Sequence, residues 1–116
     1  MRRTLFLGLL NAVLLGGGIA PTQGYAACDE SGCWSVDVDQ IYIRSAGLNL
    51  LQTSGNEIKL TCNAISNVFI QIPDKGNKAE LMSVLLAAKL SGKKIDVRTN
   101  HDNGNCIIEY LRFSKQ

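Results

Sequence analysis

The chain has 116 residues, of which 12 are Lys or Arg, 10 are Asp or Glu and 46% are hydrophobic. This length suits one small domain. The near balance of charge lacks the basic footprint of nucleic-acid and anionic-membrane binders, so we exclude both as the main function and expect no nucleic-acid partner.

The first residues predict export from the cell. Arg2 and Arg3 precede an apolar run over residues 4–17, and Gly18 and Pro21 then interrupt it before a stretch of small residues. This order is typical of a secretory signal peptide. The run is shorter than the roughly 20 residues that a membrane-spanning helix needs, so we expect no membrane span.

Cleavage is expected after Ala26, with cleavage after Ala20 as the alternative. The predicted domains are therefore a signal peptide, 1–26, and a single domain, 27–116, in a secreted or periplasmic protein. Removing the signal leaves ten basic and ten acidic residues. Lipid attachment at Cys28 is a further alternative, although it would leave an odd number of cysteines.

Four cysteines follow the predicted signal, namely Cys28, Cys33, Cys62 and Cys106. An even count in an exported protein predicts two disulfides, for which the sequence allows three pairings. We favour Cys28–Cys33, which closes a small loop, and Cys62–Cys106, which staples distant segments. A zinc site is disfavoured because His101 is the only histidine, and no metal or other cofactor is expected.

The first predicted strand lies within residues 33–44 and changes its apolar face partway along. Its inward set shifts from Trp34, Val36 and Val38 to Ile41 and Ile43. A strand has a period of two, so we predict a bulge near residues 39–40. Further short strands are predicted over 48–53, 58–62 and 68–72.

The stretch "ELMSVLLAAKLSGKKIDVRTN" predicts one helix and then a strand. Asn77 is the expected N-cap, with Glu80 completing a capping box, and Gly92 is the expected stop. The core stripe is Leu81, Val84, Leu85 and Ala88, and the apolar surface is widened by Met82, Leu86 and Leu90. The last two strands are predicted over 93–99 and 106–113, with the polar turn "NHDNGN" between them.

This order predicts a mostly β fold with one helix. Antiparallel strands, a helix and two more strands are the layout of an OB-like five-stranded Greek-key barrel, with the helix between the third and fourth strands. The alternative is an α+β domain in which a helix packs on a sheet.

The same stretch resembles the helix-to-strand region of the binding (B) subunit of AB5 toxins of the subtilase cytotoxin type. The resemblance is carried by Glu80-Leu81-Met82, by Ser91-Gly92, by Ile95-Asp96-Val97-Arg98 and by Cys62 in the preceding segment. It implies a homopentamer whose helices line a channel and whose outer faces bind glycans. The expected function is thus a non-catalytic binding module, and the chain is not expected to be an enzyme.

Two pairs of residues are candidate ligand-binding positions. Trp34 beside Ser35 is a candidate sugar-stacking pair, and Ser35 lies closest to the serine that binds sugar in the resembling family. Arg44 and Ser45 at a strand end are candidates for a groove. The predicted subunit interface comprises Met82, Leu86, Leu90, Phe69, Ile108 and Tyr110. The alternative function is a periplasmic structural or inhibitor protein that contacts a partner protein through the turn around His101.

Overall fold

The computed structural model describes residues 27–115, so the predicted signal peptide and both predicted cleavage sites lie outside the described residues. These residues form β1 (Ala27–Cys28), β2 (Gly32–Val36), β3 (Val38–Tyr42), β4 (Asn49–Thr53), a 3₁₀ helix (Glu57–Lys59), β5 (Ile70–Ile72), α1 (Lys78–Ser91), β6 (Ile95–Asp102) and β7 (Asn105–Phe113). Within this range, no helix has the length and apolar character needed to cross a membrane.

All seven strands belong to one curled sheet. Its order is β1-β2-β6-β7-β5-β4-β3, and every neighbouring pair is antiparallel except β5 and β7. β2 and β3 lie towards opposite ends of this order, yet Asp37 alone separates them along the chain. They are therefore two halves of one bent first strand. The predicted OB-like, mostly β fold is confirmed. When β2 and β3 are counted as the first strand of the OB fold, β4 is the second and β5 the third, and α1 lies between this third strand and the fourth, β6.

The first strand bends through two irregularities. The register between β3 and β4 shifts between Val38 and Gln40, where the sequence predicts a bulge. A second shift, between Cys33 and Val36 in β2, was not predicted, and Ser35 adopts a φ of 54° there. Because this bulge interrupts the alternation, the predicted face shared by Trp34 and Val36 is wrong, and Cys33 is fully buried together with Val36.

The strand predicted over 58–62 is also wrong. Glu57 is buried, and its Oε2 atom accepts hydrogen bonds from the backbone N–H and the hydroxyl of Thr53, both at 2.7 Å. These bonds fold the chain into the 3₁₀ helix immediately after β4. Ile58, the first residue of that predicted strand, is 63% exposed as a result.

The helix begins and ends where the sequence predicts, but without the predicted capping box. Asn77 is the N-cap residue and makes no side-chain capping hydrogen bond. Gly92 ends α1 with a φ of 74°, a left-handed conformation that glycine adopts without steric cost.

The hairpin between β6 and β7 is longer than the sequence predicts. Its turn consists of Asn103 and Gly104, which both have positive φ, as a two-residue hairpin turn requires. The predicted polar turn is thus reduced to two residues. His101 lies on β6 and pairs in register with Cys106.

The core fills the barrel and is closed at one end by the helix. Leu85 and Ala88 of α1 are buried against it, whereas Leu81 and Val84 are partly buried. The core strand residues are Val36, Val38, Leu51, Ile70, Ile72, Ile95, Val97 and Ile108. Both predicted disulfides, Cys28–Cys33 and Cys62–Cys106, are present, and they are compatible with an extracellular or periplasmic protein.

Candidate ligand-binding face

The outer surface of β3, β4 and β5 carries a row of side chains that turn away from the core. Tyr42 pairs in register with Leu50, and Leu50 pairs with Gln71. Cross-strand partners share one face of a sheet, so these three residues lie side by side. Their chain neighbours Ile41, Leu51 and Ile70 contribute to the core on the opposite face.

An aromatic pair and a cation lie on this row. The ring centroids of Tyr42 and Phe69 are 5.9 Å apart, with the rings tilted by 45°. The guanidinium carbon of Arg44 is 6.0 Å from the Tyr42 ring centroid, within the range of a cation–π interaction. We call Tyr42, Arg44, Phe69, Leu50 and Gln71 the aromatic face.

The loop between β3 and β4 positions Arg44. The backbone N–H of Arg44 donates to Oδ1 of Asn49 at 3.0 Å, and its Nη1 atom donates to the carbonyl of Leu48 at 3.4 Å. Gly47 has a φ of 89°, and a Cβ atom there would lie 3.2 Å from the guanidinium. Glycine thus allows the loop to turn close to the Arg44 side chain.

The residues of the aromatic face differ in their exposure to solvent. Leu50 and Gln71 are buried although they point away from the barrel interior, whereas 46% of Tyr42 is exposed. An exposed ring offers an apolar surface, and a guanidinium offers several N–H donors. This combination suits a ligand that has both an apolar face and hydrogen-bonding groups.

The position of the aromatic face corresponds to the usual binding surface of OB folds. Such folds bind oligonucleotides and oligosaccharides on their second and third strands and on the loop between the first and second strands. Here those strands are β4 and β5, and that loop covers residues 43–48.

The structure separates the two predicted binding pairs. Arg44 and Ser45 lie in the loop beside the aromatic face, and Ser45 is exposed. Trp34 and Ser35 lie in β2, in the other half of the bent first strand. The four predicted residues therefore do not form one site.

Trp34 interacts with the loop that the Cys28–Cys33 disulfide closes. Its Nε1–H donates to Oδ2 of Asp29 at 2.9 Å, and its ring lies 2.8 Å from the point where a Cβ atom of Gly32 would be. Oδ1 of Asp29 accepts from the backbone N–H of Ser31 at 2.8 Å and from that of Gly32 at 3.2 Å. The bond from the Ser31 backbone is the largest of the effects that lower the pKa of Asp29, despite some desolvation.

Ser35 is held by a buried carboxylate. Its backbone N–H donates to Oδ1 of Asp96 at 2.9 Å, and the hydroxyl of Ser114 donates to the same oxygen at 2.8 Å. Nε of Arg112 donates to Oδ2 at 2.9 Å. Desolvation raises the pKa of Asp96, but these hydrogen bonds and the charge of Arg112 outweigh it, so the pKa lies below its ordinary value.

The residues of the predicted interface occupy three environments. Leu86 and Leu90 are exposed on α1, and Met82 packs partly against the core. Phe69 belongs to the aromatic face, and Tyr110 is 38% exposed on β7. Ile108 is only 3% exposed because it faces the barrel interior, and this corrects its assignment to the interface.

Tyr42 was not among the predicted ligand-binding residues. The predicted bulge near residues 39–40 puts Ile41 on the inner face of the strand. Tyr42, the next residue, therefore lies on the outer face of the sheet, as does Phe69. In residues 27–115 no group of three or more His, Cys, Asp or Glu side chains is arranged to hold a metal ion.

Three comparisons with known proteins add no relationship. No protein-family model, no curated protein and no solved structure matches this chain.

Proposed function

We propose that this chain is an exported, non-catalytic binding module that recognises a glycan through the aromatic face. The observation that carries the proposal is the Tyr42–Phe69 ring pair with Arg44 held above Tyr42. Pyranose rings present C–H groups that pack on aromatic surfaces, and their hydroxyl groups accept hydrogen bonds from a guanidinium. The two disulfides and the predicted signal peptide support export.

An oligonucleotide is the other ligand class of this fold, and the charge of the chain disfavours it. Nucleic-acid binders of this kind combine stacking aromatics with a positively charged groove that follows the phosphates. Outside the predicted signal, basic and acidic residues are equal in number. The aromatic face itself contains one cation, Arg44.

The test is a glycan array probed with the purified protein and with single variants of the aromatic face. We expect Tyr42→Ala to abolish binding to the selected glycans, and Arg44→Ala to weaken it by about tenfold, the loss of one charged hydrogen bond. Ile58→Ala is the matched control, since Ile58 is also exposed but lies outside the face. Silence of the correctly folded protein on the array, or equal binding by Tyr42→Ala, would contradict the proposal.

We also propose that the module assembles into a homo-oligomer through α1, as the resemblance to pentameric B subunits implies. Leu90 is 86% exposed and Leu86 is 48% exposed, and the two lie one helical turn apart. A second copy that covers this surface would remove both side chains from water. The pentamer itself comes from the resemblance alone.

A further inference from the structure

A second surface, distinct from the aromatic face, lies along the edge of β7 that faces away from β6. β5 has three residues and pairs with β7 only at Gln71 and Ile107. Pro73 then ends β5, and the chain turns towards α1. Beyond Ile107, this edge of β7 has no strand neighbour among the described residues.

The space that the chain leaves beside this edge is a groove of about 370 Å³ between β7 and the first half of α1. We call it the helix–strand groove. Its apolar lining includes Leu81 and Val84 from the helix and Leu111 from β7. It thus combines an apolar floor with the backbone of an unpaired strand edge.

The rim of the groove carries two carboxylates and one ammonium group. Glu80 of α1 and Glu109 of β7 line it, against one cation, Lys75. Glu109 is the extra residue of a β-bulge, because Arg98 pairs with Tyr110 and Thr99 pairs with Ile108. Nε of Arg98 lies 3.6 Å from Oε1 of Glu109, and both side chains are about half exposed, so this ion pair is weak and open to exchange with another cation.

From these observations we propose that the helix–strand groove binds an extended segment of a partner protein, which adds to the edge of β7. An unpaired strand edge offers N–H and C=O groups to an incoming strand. Side chains of that strand alternate, so an apolar residue enters the groove while its neighbours reach the rim. Glu80 and Glu109 favour Lys or Arg at those neighbouring positions. The bulge at Glu109 makes the edge irregular, which disfavours pairing with an arbitrary strand. Recognition therefore depends on the alternation of apolar and basic residues in the partner segment.

The test selects short random peptides on the immobilised protein and maps the selected peptides by amide hydrogen exchange. We expect peptides with alternating apolar and basic residues, and slower exchange at Tyr110 and Leu111. A charge-reversing variant, Glu109→Lys, should weaken the selected peptides by about tenfold, because it places like charges together. Tyr42→Ala is the control, and it should leave peptide binding unchanged.

Three results would overturn the proposal. The first is the absence of peptide enrichment on a protein that is folded by circular dichroism. The second is binders that protect amides elsewhere. The third is protection of Tyr110 and Leu111 by self-association in the absence of peptide, which would assign the groove to a second copy of the chain.

Discussion

Asp96 connects three segments of the barrel through one carboxylate. It joins the bulge at Ser35, the end of β7 at Arg112 and the following Ser114. The residue is only 7% exposed, so its removal leaves the Ser35 N–H without its charged acceptor in a partly buried position. We expect Asp96→Ala to lower the free energy of unfolding by about 3 kcal/mol, measured by urea denaturation.

The matched control for this substitution is Asp39→Ala, at an exposed position in the same sheet. We expect it to change the free energy of unfolding by less than about 0.5 kcal/mol, as substitutions at open surface positions usually do. Equal effects of the two substitutions would show that the carboxylate network contributes nothing specific.

The low pKa values of Asp29 and Asp96 predict how stability depends on pH. The folded state lowers both pKa values, so the stabilisation is fully present above the pKa of an unfolded aspartate, about 3.9. It is lost as the pH falls through the lower pKa values of the folded protein. We therefore expect the urea midpoint to decline below about pH 4 from this source. The decline should be shallower in Asp96→Asn, and an identical pH profile in that variant would contradict the assignment.

At the scale of elements, the two disulfides close loops of very different length. Cys28 and Cys33 are 5 residues apart, whereas Cys62 and Cys106 are 44 apart. The chain-entropy model gives about 2 kcal/mol for the short loop and about 4 kcal/mol for the long one. Paired Cys→Ser variants, compared by thermal and urea unfolding, should therefore show the larger loss for Cys62–Cys106. The reverse order would mean that the short loop stabilises the native state by another route.

The order of elements was predictable from the sequence, but their details depend on tertiary contacts. Alternation and Gly92 place the main strands and the end of the helix correctly. The segment 58–62 has the alternation of a strand, yet the buried Glu57 bonds to Thr53 and folds the chain into a 3₁₀ helix. A pattern of apolar residues cannot reveal a hydrogen bond between a carboxylate and the preceding strand.

The candidate site was only partly predictable for a similar reason. Arg44 was identified because it ends a strand, but its ring partner Tyr42 depends on the bulge near Asp39 and on the register with Leu50. Trp34 and Ser35 looked like a binding pair because an aromatic and a hydroxyl residue are adjacent. In the fold, the indole N–H of Trp34 bonds to Asp29 and the backbone N–H of Ser35 bonds to Asp96, contacts that adjacency in the sequence does not reveal.

At the scale of the whole molecule, the proposed functions occupy separate surfaces. The aromatic face covers β3–β5, the helix–strand groove lies between α1 and β7, and the exposed leucines lie farther along α1. A glycan, a partner segment and a second copy of the chain can therefore be tested by independent variants.

Assembly is tested by sedimentation of the purified protein over a range of concentrations. We expect an oligomer that dissociates when Leu86→Ser and Leu90→Ser are combined, because two apolar side chains then leave the interface. Ile58→Ser is the control, as it changes an exposed apolar residue outside α1. A monomer at every concentration would exclude the proposed assembly. It would not contradict the proposal that the aromatic face binds a glycan.

The aromatic face is tested most directly by a titration of ¹⁵N-labelled protein with a glycan selected on the array. We predict that the largest amide shift changes occur at Tyr42, Arg44 and Phe69, and that they disappear in Tyr42→Ala. Shift changes confined to Trp34 and Ser35, or to the groove around Tyr110, would contradict it.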